Sequence, residues 1–209
     1  SPVHQFIGFI DLSTGQSIRS AHEMRSGICC TFPSSDRTAL CVSANDGSTH
    51  RLNNFGAIES RLDLPEGSYI AGHLNFSNAI LVVCGNSITA LQIETWKVLW
   101  SCTLSEAPCR AICNVADRLY CATISGEILQ LEASSGNLVR ICARLEGEIL
   151  RLAVSPCGSF LAAVLPGWEL VVTELSTGEK LWAHSTAPQC TPIFSPDGQS
   201  LLVPAANSQ

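Results

Sequence analysis

Val171-Val172-Thr173-Glu174-Leu175-Ser176-Thr177-Gly178-Glu179-Lys180-Leu181-Trp182 decides the fold. Apolar residues lead up to Glu174, a Ser-Thr-Gly turn reverses the chain, and a second stretch runs back to Trp182. Side chains of a strand point alternately to two faces, and glycine supplies the positive φ that a tight turn needs. The same design recurs at Gly8–Ile18, Thr89–Trp100 and Leu129–Val139, with a looser copy at His50–Ile58. Its central turn residues stand at 15, 56, 96, 136 and 178, so the steps are 41, 40, 40 and 42 residues. Random turn placement does not hold that regularity over four intervals.

A second unit lies between these copies. Ala153-Val154-Ser155-Pro156-Cys157-Gly158-Ser159-Phe160-Leu161 and Ile193-Phe194-Ser195-Pro196-Asp197-Gly198-Gln199-Ser200-Leu201 match closely, and Thr31–Val42, Leu74–Val82 and Val115–Cys121 follow the same outline. Proline presets φ at the second turn position, and Asp-Gly tolerates the rest of a tight hairpin. A third turn precedes each acidic copy, at Asn45-Asp46-Gly47, Gly85-Asn86, Ser125-Gly126 and Pro166-Gly167. Each repeat therefore holds four short strands joined by three hairpins. The chain is predicted to be all-β. Four strands per unit of about forty residues predict a β-propeller built from four-stranded antiparallel blades.

These residues resemble known repeat families. The Ser-Pro-Asp-Gly turns, Asp46-Gly47 and the spacing resemble the WD-repeat superfamily, without its Trp-Asp dipeptide. Ser-Thr-Gly-x-x-Leu-Trp ending at Trp182, and Thr95 to Trp100, resemble the pyrroloquinoline-quinone-type repeat. That resemblance implies a tryptophan, four positions after the turn residue, that docks neighbouring blades. Trp100 and Trp182 hold this position; Arg19, Ser60 and Arg140 stand there in the other copies. Repeat ends fall near 19, 60, 100, 140 and 182, which makes 1–209 a single propeller domain or part of one. The sequence opens on what reads as an outermost strand and stops inside a second strand. Two closures follow. Either about five blades close with the first strand completing the last blade, or the chain is part of a larger ring whose other blades come from further sequence or a partner.

The 209 residues carry a net charge of −6, 46% hydrophobic residues and only 14% charged ones. So low a charged fraction excludes a disordered acidic tail, and the acidic balance argues against nucleic-acid binding, which needs a basic face. No apolar run approaches the roughly 18 residues of a membrane helix, and Ser1-Pro2-Val3-His4-Gln5 does not read as a signal peptide. The eleven cysteines are odd in number, follow no pairing pattern, and mostly stand where a strand puts a small apolar residue. They read as reduced core residues of a cytoplasmic or nuclear protein. Asn75-Phe76-Ser77 fits the glycosylation tripeptide, which chance supplies in this length.

Chemistry is sparse. No phosphate loop, zinc-protease motif, nucleophile elbow or Cys-x-x-Cys occurs, and histidines 4, 22, 50, 73 and 184 lack ligand spacing. No catalytic, metal or cofactor residues are expected. Adjacent Cys29-Cys30 resembles the vicinal pair of quinone-dependent propeller dehydrogenases, but within Ile28–Phe32 alternation sends the two side chains to opposite faces of a strand. Acids at 11, 94, 132 and 174 recur and read as turn hydrogen-bond acceptors. Aligning repeats on Phe32, Phe76, Val115, Val154 and Phe194 groups His73, Arg110, Arg151 and Gln189 near strand entries. In propellers such entries lie at the mouth of the central channel, so the four would form a polar ring suited to an acidic peptide; the plainer alternative is solvated arginines. Ten arginines against two lysines fit interface use. The expected function is a non-catalytic interaction scaffold within a larger protein or complex, with protein partners. The alternatives are the propeller domain of a quinone-dependent or multidomain enzyme, or a periplasmic assembly factor of propeller fold.

Overall fold

The structure is a computed structural model that describes residues 5–10, 17–24, 28–34, 39–44, 47–53, 57–74, 77–104, 107–187 and 190–204, and of residues 5–29 the backbone. Among the described residues there is no α-helix. Strands β1 (Gln5–Ile10) and β2 (Ser17–Met24) pair as a two-stranded sheet. Four complete antiparallel sheets follow. They are β3 (Ile28–Pro33) to β6 (Ile58–Asp63), β7 (Ser68–Leu74) to β10 (Val98–Thr103), β11 (Cys109–Val115) to β14 (Leu138–Arg144), and β15 (Arg151–Val154) to β18 (Lys180–Ser185). Their middle strands are β4 (Ala39–Ala44), β5 (Ser48–Asn53), β8 (Ala79–Cys84), β9 (Ser87–Gln92), β12 (Arg118–Thr123), β13 (Glu127–Glu132), β16 (Phe160–Leu165) and β17 (Glu169–Glu174). Strands β19 (Ile193–Phe194) and β20 (Leu201–Leu202) form a last two-stranded sheet. Of the repeat ends read from sequence, those near 60, 100, 140 and 182 fall inside fourth strands and that near 19 falls inside β2. The chain's first described strand is one member of a hairpin, β1 with β2.

The chain divides into two compact units, Ser1–Val82 with Ala90–Leu99, and Val83–Thr89 with Trp100–Gln209. In the first, Cys41 of β4 packs with Ile70, Ile80, Val82, Leu91 and Ile93, so the face of one sheet covers the face of the next. In the second, Tyr120, Ala122 and Ile128 pack on Leu152, Val154, Leu161, Ala163 and Val171. Residues Ala162, Val164, Leu170 and Val172 on the opposite face then pack on Phe194, Leu201 and Val203. The first strands β11 and β15 lie side by side, as do β15 and β19. Sheets stacked face to face with first strands adjacent are propeller blades. Because second and third strands are covered on both faces, they read as near-continuous apolar runs such as Phe160–Leu165.

The hairpin between first and second strands is held by a serine used three times. Backbone N–H groups of Ala39, Phe160 and Ser200 donate to the hydroxyls of Ser34, Ser155 and Ser195 at 2.9 Å each. Between third and fourth strands, Ser135 donates to Glu132 at 2.6 Å and Thr177 to Glu174 at 2.8 Å, which is the turn role expected of the recurrent acids. Glu94 departs from that expectation. The equivalent acceptor is Gln92, bonded by Thr95 at 2.9 Å, because Trp96 N–H closes its turn on the Gln92 carbonyl as Gly136 does on Glu132. Glu94 sits two residues further on and accepts from Asn78. Asp11 lies outside the described residues.

Turn and strand residues of neighbouring sheets are matched in size. The Trp100 ring lies against Gly136, where a Cβ would come within 2.5 Å of Cε3, and the indole N–H donates to the Ala133 carbonyl at 3.1 Å. At the equivalent place Ser60 is small and the turn residue is Trp96, whose indole N–H donates to Ser60 at 3.0 Å. A third turn brings Gly178 against the Cys142 carbonyl, so close that a Cβ would meet it at 2.7 Å. Trp182 does not dock as the repeat pattern implies: it is 46% exposed. Among the described residues the sheet after β18 contains β19 and β20, with no turn between third and fourth strands to cover it.

Trp100→Ala should cost about 3 kcal/mol, near the low end for removing a packed indole, read as a lowered urea midpoint. Trp182→Ala should cost under about 1 kcal/mol, as a half-exposed side chain does. Gly136→Ala should cost about 2 kcal/mol, because φ is +73° and the indole must move.

Candidate functional site

A groove of about 440 Å³ opens between β10 and the β13–β14 hairpin. Cys102, Thr103 and Leu104 form one wall; Leu129, Leu131, Leu138 and Ile141 form the other. The register places Leu131 opposite Leu138, Leu129 opposite Ile141 and Glu127 opposite Arg144. The groove thus runs from the Gly136-Asn137 turn along about 13 Å of strand to an ion pair, at about 3.3 Å per residue. There Arg144 Nε donates to Glu127 Oε1 at 3.0 Å, with Nη2 at 2.9 Å from the same oxygen. Leu129 and Leu131 are buried, whereas Leu138 and Ile141 on the edge strand are 59% and 43% exposed. A trough lined by leucines and an isoleucine but edged by Thr103, Asn137 and the Glu127–Arg144 pair offers both apolar and polar contacts to an extended peptide.

The four residues expected at a channel mouth fare differently. Arg110, second in β11, is half-exposed and its Nε lies 2.8 Å from Glu148 Oε1. Arg151 opens the adjacent strand β15 and is exposed; its guanidinium donates to the Leu150 carbonyl at 2.8 Å. His73 is the penultimate residue of β7 and half-buried, with its ring 6.2 Å from that of Phe32. Gln189 lies outside the described residues. Arg110 and Arg151 therefore stand on neighbouring first strands, and a carboxylate already faces the first of them. Sequence alignment could not show Glu148, because it precedes β15 in a segment without strand pattern.

The cysteines divide by environment. Burial pushes the Cys41 thiol up to about 11 and that of Cys113 to about 12. Cys121 is pushed well above the ordinary thiol range, first by its hydrogen bond with Cys109 and then by burial. These behave as small core residues. The backbone register shifts between Ile28 and Cys30, so Cys29 sits at an irregularity of β3. Cys84 and Cys157 are exposed, unlike the core placement read for most of the set.

Cys157 was not singled out by sequence reasoning. It occupies the first hairpin of its repeat where Asp197 stands in the last. In that last hairpin Asp197 Oδ1 accepts from the Ser195 hydroxyl at 2.5 Å and from the Gln199 amide at 3.0 Å. These bonds hold its carboxyl below the usual range, so its stabilising contribution is present at neutral pH and lost as pH falls through the lowered value. Cys157 Sγ lies 3.3 Å from the Ser155 hydroxyl. The Ser155 hydroxyl, then that of Ser159, lower its thiol to about 7. The turn position that holds a carboxylate at Asp197 holds a thiol at Cys157.

Among the described residues no group of three or more His, Cys, Asp or Glu side chains is placed to hold a metal ion. Nor is any helix among them long and apolar enough to cross a membrane. No protein-family model matches the chain, and no curated protein sequence matches it significantly.

Iodoacetamide labelling followed by peptide mass spectrometry should find Cys157 alkylated with a pH midpoint near 7. Ser155→Ala should move that midpoint upward, and Cys41, Cys113 and Cys121 should stay unlabelled until the chain is unfolded.

Proposed function

We propose that the chain is a non-catalytic interaction module, with blades of the WD-repeat or pyrroloquinoline-quinone-like kind, acting within a larger protein or complex of the cytoplasm or nucleus. The observation that carries this reading is the exposure of large aliphatic side chains, Leu138 and Ile141, along a rigid edge strand beside the 440 Å³ groove. Monomeric proteins seldom leave such contiguous apolar surface uncovered, and when they do it marks a contact surface. The frame suits the role. Its second and third strands are fixed by packing on both faces, so the fourth strand and its turn present side chains at low entropic cost to a partner.

The groove fits a short extended segment with alternate apolar side chains seated between β10 and β14. The Glu127–Arg144 pair sets one end and can exchange partners with a charged residue of that segment. Two variants test the reading. Leu138→Asp and Ile141→Asp lie on the exposed rim, so each should leave the thermal midpoint within about 2 °C while abolishing recovery of partners that the unmodified chain retains. Partner recovery unchanged by both substitutions would remove the groove from the interaction, and steady turnover of a substrate by the purified chain would replace the reading with an enzymatic one.

A further inference from the structure

Three thiols gather near the start of β11, and one of them opens on the groove. Cys109 begins β11 and stands opposite Thr123 of β12, two residues from Cys121. Residues two apart on a strand share a face, so Cys109 and Cys121 lie on one side of the sheet. The register shifts between Cys109 and Ala111, an irregularity that re-aims side chains, and the two thiols are hydrogen-bonded to each other. Both are buried. Cys102, near the end of β10, lies within electrostatic reach of both. It is half-buried and lines a wall of the groove. Cys113 belongs elsewhere: it stands opposite Tyr120 and packs in the core that holds that ring.

We infer that Cys109 and Cys121 close a reversible disulfide between β11 and β12, and that Cys102 admits the oxidant to them from the groove. The oxidant is a small disulfide of the glutathione class. The Cys102 thiolate attacks one of its sulfurs, forming a mixed disulfide and releasing one glutathione. Cys109 then attacks the Cys102 sulfur and releases the second glutathione. Cys121 takes the Cys109 sulfur in turn and frees Cys102. In sum two thiols lose two electrons, and their two protons end on the two glutathiones. Attack needs a thiolate. Burial raises the Cys102 thiol, and the Cys109 hydrogen bond followed by burial raises that of Cys121, so closure quickens as pH rises above neutrality. The bond ties a first strand to its second strand across a short loop and so constrains the unfolded chain. This inference stands on the thiols alone and does not need a partner in the groove.

The test incubates the full, folded chain with oxidised glutathione, blocks remaining thiols, and maps non-reduced peptides by mass spectrometry. Glutathione found on the exposed Cys157 shows that the reagent is active. A peptide pair linked through Cys109 and Cys121 should accumulate faster at pH 9 than at pH 7. The thermal midpoint should rise by about 5 °C or more, and dithiothreitol should reverse both changes. Cys102→Ser should slow closure at least about tenfold while leaving the final link the same, because buried thiols are closed to solvent reagents. Cys113→Ser should leave rate and link unchanged. Cys121→Ala should abolish the midpoint rise, and the linkage map of the unmodified chain gives an answer that does not depend on that variant's folding. A link that forms only in urea would overturn the proposal. So would oxidation that stops at glutathione on Cys102, or that ends in a Cys102–Cys109 bond. An unchanged rate in Cys102→Ser would remove the groove as the route. Partner recovery through Ile141 is a separate readout, so either reading can fail while the other stands.

Discussion

The structure depends on one constraint: no sheet can bury both of its faces by itself. A four-stranded sheet of Phe160–Leu165 type has apolar residues on both sides of its middle strands, and each side needs a neighbour. Burial at about 25 cal/mol per Å² favours stacking strongly, but it is indifferent to register. Register comes from the docking of turns on fourth strands. Trp100 against Gly136 and Ser60 against Trp96 are two solutions of one packing problem, with the large residue moved from strand to turn. The moved tryptophan takes a cost with it, since Trp96 sits at φ +55° where a side chain is disfavoured.

Turn chemistry shows the same economy at smaller scale. One serine hydroxyl, repeated at Ser34, Ser155 and Ser195, accepts the amide that opens the second strand and so fixes hairpin length. Once that length is fixed, the position two residues after the serine faces a set of donors. Asp197 uses them as a carboxylate should. Cys157 inherits the donors without needing them for the fold, and acquires a depressed thiol as a by-product of its place. Environment here belongs to the repeat position, while chemical identity belongs to the residue that occupies it.

This separates what was legible in the sequence from what was not. Period and strand number are local properties, carried by Ser-Pro-x-Gly and Ser-Thr-Gly spacing, and they survive into the structure. Glu94 was aligned with Glu132 and Glu174 on its charge alone; the turn hydrogen bonds assign that role to Gln92, because Trp96 replaces the glycine that marks the register elsewhere. Trp182 was read as docked because its motif is that of Trp100, yet docking needs a partner turn that a motif cannot supply. The groove was invisible for a related reason. Leu129 and Ile141 are twelve residues apart and meet only through strand pairing, and Cys102 joins them from another sheet. Arg110 was read as one of a polar ring or as a solvated arginine, and its pairing with Glu148 was not legible because the fold, not spacing, brings the two together.

Fourth strands are where structure and function part company. Second and third strands are held by two neighbours and two faces, so their sequences are nearly dictated: small and branched apolar residues with little room for variation. A fourth strand has one paired edge, and its outward residues enter no core. Nothing in the fold asks for leucine at 138 or isoleucine at 141, and polar residues there would raise solubility at no structural cost. An apolar residue that the fold does not require is better evidence of recognition than one it does. By that criterion the edge strand β14 outranks the strand-entry arginines. Charge at Arg110 is already answered by Glu148, whereas the exposed carbon of Leu138 and Ile141 is answered by nothing in the described chain.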